Sequence, residues 1–145
     1  MTIFIGADHR GFELKNKLIE YLHEKDMRVE DMGNYEYDAQ DDYPDYAKKV
    51  SQAVLQNPEE LLGIVICGSA VGVSISANRY EGIMCALGFD VDQIKKAREH
   101  DHINVLAIPS DYVDLEKAKQ MIHAFLESKP NYDEKYLRRI RKLNE

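Results

Sequence analysis

Two rhythms of hydrophobic and polar positions alternate along the chain. Short apolar runs rich in branched residues are interleaved with longer segments whose apolar positions recur every three or four residues. TIFIGA (2–7) reads as a strand, and GFELKNKLIEYLHEK (11–25) as a helix with Leu14, Leu18 and Leu22 spaced by four. MRVEDMG (27–33) predicts a second strand, ending at a glycine. YPDYAKKVSQAVLQN (43–57) predicts a helix with Val50, Ala53 and Val54 on one face, closed before Pro58. LLGIVIC (61–67) is the most continuous apolar run, as suits a central parallel strand covered on both faces. GIMCALG (82–88) and NVLAI (104–108) predict two further strands, each followed by a helical pattern. DLEKAKQMIHAFLES (114–128) is the last long helix, and DEKYLRRIRKLNE closes the chain with a basic helix at about 133–143.

Strands alternating with helices in this way predict βαβ units and a parallel sheet with helices on both sides. In such sheets ligands bind outside the carboxyl ends of the strands. That rule brings Asp8 and His9, the segment from Cys67 to Gly72, and the turn after NVLAI to one edge. The segment REHDH, before the fifth strand, enters from the opposite edge unless its helix is short or a neighbouring subunit supplies it.

Composition narrows the class. A chain of 145 residues, 44% hydrophobic and 31% charged, suits a single domain spanning 1–145 with its own core. No apolar run reaches the ~18 residues of a membrane span, and the start MTIFIGADHRG lacks the basic, long-apolar form of a secretory signal. A cytoplasmic location is expected. The net charge of −7 argues against a nucleic-acid or membrane surface. It is uneven, though: residues 135–145 hold five basic groups and one acid, +4, leaving −11 on the rest. Such a tail suits a small anionic ligand. Cys67 and Cys85 show neither C-x-x-C nor metal-ligand spacing, so free thiols and no metal site are expected.

Candidate chemistry gathers in CGSAVG, glycines at 68 and 72 with small residues between and SISAN as the start of a helix. Backbone N–H groups at such a turn attract phosphate or an oxyanion. The loop is neither a dinucleotide fingerprint nor a P-loop, and Val73 stands where a cysteine phosphatase carries arginine. A plain strand-to-helix turn is the competing reading. Cys67 ends its strand facing that helix start, a setting that favours thiolates, whereas Cys85 sits within an apolar strand like an inert core cysteine. Asp8 and His9 suit proton transfer or hydroxyl binding, or else Asp8 caps the next helix. His123 lies in a long amphipathic helix and reads as structural, while His100 and His102 occupy a polar turn. Arg138, Arg139 and Arg141 either complement a helix C-terminus or clamp a phosphate.

Taken together, GADHRGFELK, DYPDYA, ICGSAVGVSISANR and EHDHINVLA resemble, in order and spacing, the ribose-5-phosphate isomerase B family, which includes the galactose-6-phosphate isomerase subunits. The likeness runs from residue 3 to about 142. It implies a three-layer α/β/α Rossmann-like sandwich with a five-stranded parallel sheet, and an aldose–ketose isomerase that needs no metal or cofactor. It also implies a homodimer, or a dimer of dimers, with sites between subunits and no nucleic-acid or membrane partner. The reaction implied is interconversion of ribose 5-phosphate and ribulose 5-phosphate, with hexose 6-phosphates (allose or galactose) or non-catalytic sugar-phosphate binding as alternatives. By the resemblance, Cys67 is the C–H base and Ser69 matches the loop Ser/Thr. Gly68, Ala70 and Gly72 belong to the oxyanion and substrate cradle, Asp8 handles hydroxyl protons, His9 and Tyr43 contact substrate, and His100 opens the sugar ring from across the dimer. Asp101 stands where the family usually has Asn, Asp111 where an Arg is common, Ala70 where glycine is usual. In the tail, Lys135 and Tyr136 replace Arg and His, Arg139 matches the second Arg, and Arg138 or Arg141 is expected to compensate. If position 70 requires a positive φ, alanine there is strained.

Overall fold

The computed structural model describes residues 1–145, with five strands and six helices. The strands are β1 (Thr2–Ala7), β2 (Arg28–Asp31), β3 (Leu62–Cys67), β4 (Cys85–Leu87) and β5 (Val105–Pro109). The helices are α1 (Phe12–Glu24), α2 (Tyr43–Val54), α3 (Val71–Ala77), α4 (Val91–Asp101), α5 (Leu115–Glu127) and α6 (Glu134–Lys142). All strand pairs are parallel, in the order β2-β1-β3-β5-β4. The expected α/β/α sandwich with five parallel strands is what forms.

Strand parity divides the core. On one face Ile3 and Ile5 of β1, Leu62, Ile64 and Ile66 of β3, and Leu106 and Ile108 of β5 pack with Leu18 and Leu22 of α1, Ile94 of α4 and Phe125 of α5. On the other, Phe4, Val65, Cys67, Val105 and Ala107 pack with Val50 and Val54 of α2 and Val73 and Ala77 of α3. Period-2 alternation within runs that look uniformly apolar therefore feeds two half-cores. Burying one of these Ile or Leu side chains contributes about 1.5–3 kcal/mol. The edge strands are shorter than their apolar flanks implied: β2 alternates between exposed and half-buried positions, and β4 keeps only Cys85–Leu87. α1 buries Leu18 and Leu22 as its periodicity demands, and also Lys15, whose Nζ donates to both carboxylate oxygens of Asp31 at 2.8 Å.

The helices begin and end for local reasons. α4 starts at Asp90, whose carboxylate accepts the N–H groups of Asp92 and Gln93, and α5 starts at Asp114, which accepts that of Lys117. α3 begins at Val71, three residues before the predicted SISAN start, because Ala70 turns into the left-handed region (φ 62°, ψ −2°) and reverses the chain at once. The polar turn expected around His100 and His102 is a correction: α4 runs on through Asp101, so His100 is helical and His102 is the left-handed residue ending it. No helix is long and apolar enough to cross a membrane.

Candidate active site

The strand order reverses between β1 and β3, which leave their shared border in opposite directions, and such a switch point opens a crevice at the carboxyl ends. The register pairs Ala7 with Ile66, so the next pair is Asp8 and Cys67. Both are 5% exposed, and Cys67 joins the core on the α2/α3 side of the sheet. The chain places a carboxyl and a thiol side by side at the mouth of the crevice.

Asp8 does the work of a helix cap as well. Its Oδ1 accepts the N–H groups of Arg10 (3.0 Å) and Gly11 (3.3 Å) just before α1. Burial pushes its carboxyl above the ordinary carboxylate value, outweighing the two N–H donors that pull it down. Cys85 is different: burial pushes its thiol up to about 12, against a hydrogen bond from Ser74 that lowers it, so it stays protonated and inert.

The loop after Cys67 is shaped by close approach. A Cβ on Gly68 would lie 2.6 Å from Arg10 Nε and 2.6 Å from Asp111 Oδ2, and one on Gly72 would lie 2.7 Å from the Tyr43 ring. A side chain at either position would push Arg10 and Asp111, or the Tyr43 ring, away from the loop. Ser69 is exposed at the tip, and its Oγ accepts the N–H of Val71 at 3.2 Å. Ala70 is fully buried at positive φ, so its methyl packs in the core while its backbone carries the strain. Tyr43, first residue of α2, thus reaches the start of α3.

His9 is held by a residue that sequence reasoning missed. Its Nδ1 is 2.7 Å from Asp41 Oδ1, the same oxygen accepts its backbone N–H at 2.9 Å, and Asn34 Nδ2 donates to Asp41 Oδ2. Burial raises the Asp41 carboxyl, but the hydrogen bonds from His9 and Asn34 win and hold it below the usual value. The doubled acid before the Y-P of DDYPDY was the available signal. Asp8, His9 and Asp41 offer ligand atoms within 4.8 Å of one another, enough to meet a cation. Their hydrogen bonds to Arg10, Gly11, His9 and Asn34 already account for the arrangement.

Within one chain the remaining predicted residues are not brought to this edge. α4 runs away from it for 11 residues, roughly 16 Å, and delivers His100 and Asp101 to the opposite edge. There the His100 ring stacks on Tyr136 with centroids 4.7 Å apart and planes 4° from parallel. His102 Nε2 is 2.7 Å from the carbonyl oxygen of Asn131, fastening the segment that leads into α6. α6 carries Lys135, Arg138 and Arg139 on a helix with no buried residue, and Arg141 Nη2 donates to Glu134. His123 stays within α5 against Tyr21, in keeping with its structural reading. A groove of about 750 Å³ at Lys95, Glu99, Glu127 and Asn131 belongs to this far edge and has no thiol or histidine in its lining.

A ribose/galactose isomerase family model matches residues 3–143. A probable ribose-5-phosphate isomerase B of Mycoplasma pneumoniae is 42% identical over 126 residues, covering 87% of this chain and 82% of that protein. Its counterpart in Mycoplasma genitalium is 39% identical over 143 residues, 98% of this chain and 93% of the other. Among solved structures, ribose-5-phosphate isomerase from Thermotoga maritima aligns with a TM-score of 0.92 at 42% identity, covering 98% and 96% of the two chains. The M. genitalium enzyme with bound ribulose 5-phosphate aligns with a TM-score of 0.93 at 38% identity, covering 98% and 93%.

Proposed function

The chain belongs to the ribose/galactose isomerase family, and from that premise we propose that residues 1–145 form one sugar-phosphate isomerase domain interconverting ribose 5-phosphate and ribulose 5-phosphate. The observation that carries the mechanism is the place of Asp8 and Cys67, each one residue beyond the register pair Ala7–Ile66 of adjacent strands, beside a loop that opens a helix. The Cys67 thiolate takes the proton from C2 of the open-chain aldose, and the electron pair moves into an enediolate. Backbone N–H groups between Gly68 and Gly72, with Ser69, hold the developing oxyanion. Asp8 moves the proton between the C1 and C2 oxygens, and its raised affinity for a proton suits a group that must hold and release one. Return of the C–H proton at C1 gives the ketose. His9, fixed by Asp41, and Tyr43, over Gly72, border the substrate.

His100, Asp101, Lys135, Arg138 and Arg139 enter from a second copy in this reading, as a cytoplasmic homodimer. Support comes from their place at the far edge and from α6, which leaves Tyr136, Leu137 and Ile140 only half-covered by its own chain. His100 then opens the sugar ring in the partner's site. A coupled assay across pentose and hexose phosphates tests the proposal. Turnover of ribose 5-phosphate is expected; activity confined to hexose 6-phosphates would overturn the substrate, and no turnover of any would overturn the enzyme.

A further inference from the structure

We propose that Arg10 is the anion-binding residue supplied within the chain, taking the phosphate of the substrate at the mouth of the Cys67 loop, with Asp111 as its counter-ion. The inference rests on the isomerase reading above. Arg10 lies in the turn between Asp8 and α1, and its backbone is fixed at both ends. Its N–H donates to Asp8 Oδ1 at 3.0 Å, and its carbonyl accepts Ser110 Oγ at 2.8 Å. Its side chain folds back over Gly68, the first residue of the cradle, where Nη2 donates to Asp111 Oδ2 at 2.6 Å.

That single contact leaves most of the guanidinium fork unused. Nε and Nη1 make no hydrogen bond within the chain, and the side chain is 57% exposed. Arg10 also lines a groove of about 530 Å³, where His9 and Lys17 stand with Asn16 and Tyr37 and where two carboxylates, Glu13 and Glu20, leave Arg10 and Lys17 as the cations an anion would meet. The groove takes in His9 and Arg10, the two residues after Asp8, so a sugar with C1 and C2 at Asp8 and Cys67 has this groove next along the chain for its far end. A planar fork with several open N–H groups suits phosphate oxygens.

Asp111 acquires a role by the same geometry. It stands where the resemblance led us to expect an arginine, yet it does not present a free negative charge to the ligand, because Arg10 pairs with it. Its backbone N–H donates to the Gly68 carbonyl at 3.0 Å, so the turn after β5 and the loop after β3 are joined independently of the ion pair. Half-exposed ion pairs contribute little to stability, which leaves ligand binding as the use of this one.

Steady-state kinetics with ribose 5-phosphate, using inorganic phosphate as competitive inhibitor, test the proposal. Arg10→Ala should raise KM and the phosphate inhibition constant together by roughly tenfold or more, with kcat changed by less than about threefold. Asp111→Asn keeps an acceptor for Nη2 while removing the competing negative charge, and should lower KM and the phosphate inhibition constant together. Equal increases in KM for both variants would overturn the proposal, since the pair would then only brace the β5 turn. An unaltered phosphate inhibition constant in Arg10→Ala would overturn it as well. Calorimetric titration of inorganic phosphate separates this inference from the isomerase reading. Were the wild-type protein to turn over no sugar phosphate, phosphate binding lost in Arg10→Ala would uphold the anion site and remove only the catalytic assignment, whereas binding equal to wild type would overturn the site.

Discussion

Asp8 and Cys67 follow the register pair Ala7–Ile66 directly, so a carboxyl and a thiol share one border of the sheet at equal depth. Keeping the ionised carboxyl there costs stability. Its folded-state proton affinity is raised above the ordinary value of 3.8, by burial first and in spite of the N–H groups of Arg10 and Gly11. The folded protein thus binds that proton more tightly than the unfolded chain. Asp8 destabilises the fold at pH above its folded value, and the penalty fades as pH falls through that value toward 3.8. Asp8→Asn, whose Oδ1 can still accept both N–H bonds, should melt higher than wild type at pH 7, with the difference shrinking toward pH 4. Its kcat should fall by about 10² or more. Calorimetric melting at the two pH values checks this, and a loss of stability of equal size at both would show that the charge is not the penalty.

Cys67 and Cys85 should separate cleanly in reactivity. Cys67→Ala should lower kcat by at least ~10³, while Cys85→Ala, which removes a thiol held near 12, should leave it within a few-fold. Iodoacetamide at neutral pH should label Cys67 first, and ribose 5-phosphate should protect it. Mass spectrometry of the alkylated peptides reads the outcome; preferential labelling of Cys85 would reverse the assignment.

Position 70 balances two opposing costs. Alanine at φ 62° carries about 1 kcal/mol of strain, and its fully buried methyl returns about 0.8 kcal/mol. Ala70→Gly should therefore change stability by less than about 1 kcal/mol and keep its activity. Ala70→Val combines a branched residue at positive φ with overpacking, and should cost about 2 kcal/mol or more. Urea unfolding of the two variants decides it, and a tolerated valine would mean that the loop relaxes.

Sharing of the site between copies is testable by mixing. Cys67→Ala and His100→Ala should each be nearly inactive alone. After unfolding together and refolding, heterodimers would contain one doubly altered site and one intact site, restoring about a quarter of wild-type activity. Coupled-assay rates on the refolded mixture measure this; no recovery would place Cys67 and His100 in the site of one and the same chain and overturn the sharing.

Much of this was legible in the residues because the strands are short apolar runs and the helices keep their period. Leu18 and Leu22, Val50 and Val54, and the run ending at Cys67 pointed to the layers they occupy. Boundaries were less so. α3 starts early because Ala70 adopts a conformation that its identity does not advertise, and His100 reads as turn only because REHDH is polar throughout, although Arg98 within it is buried. Asp41, Lys15 and Arg10 escaped for another reason. Each is defined by a partner distant in sequence (His9, Asp31 and Asp111), and periodicity carries no information about such pairs.

The length of α4 decides what a single molecule can do. On the shared-site reading, a lone subunit carries two halves of an active site facing away from each other, separated by roughly 16 Å of helix. Turnover is then a property of pairs. Dilution would silence the protein by mass action without unfolding a residue, and a defective subunit would disable one site in every pair that it joins.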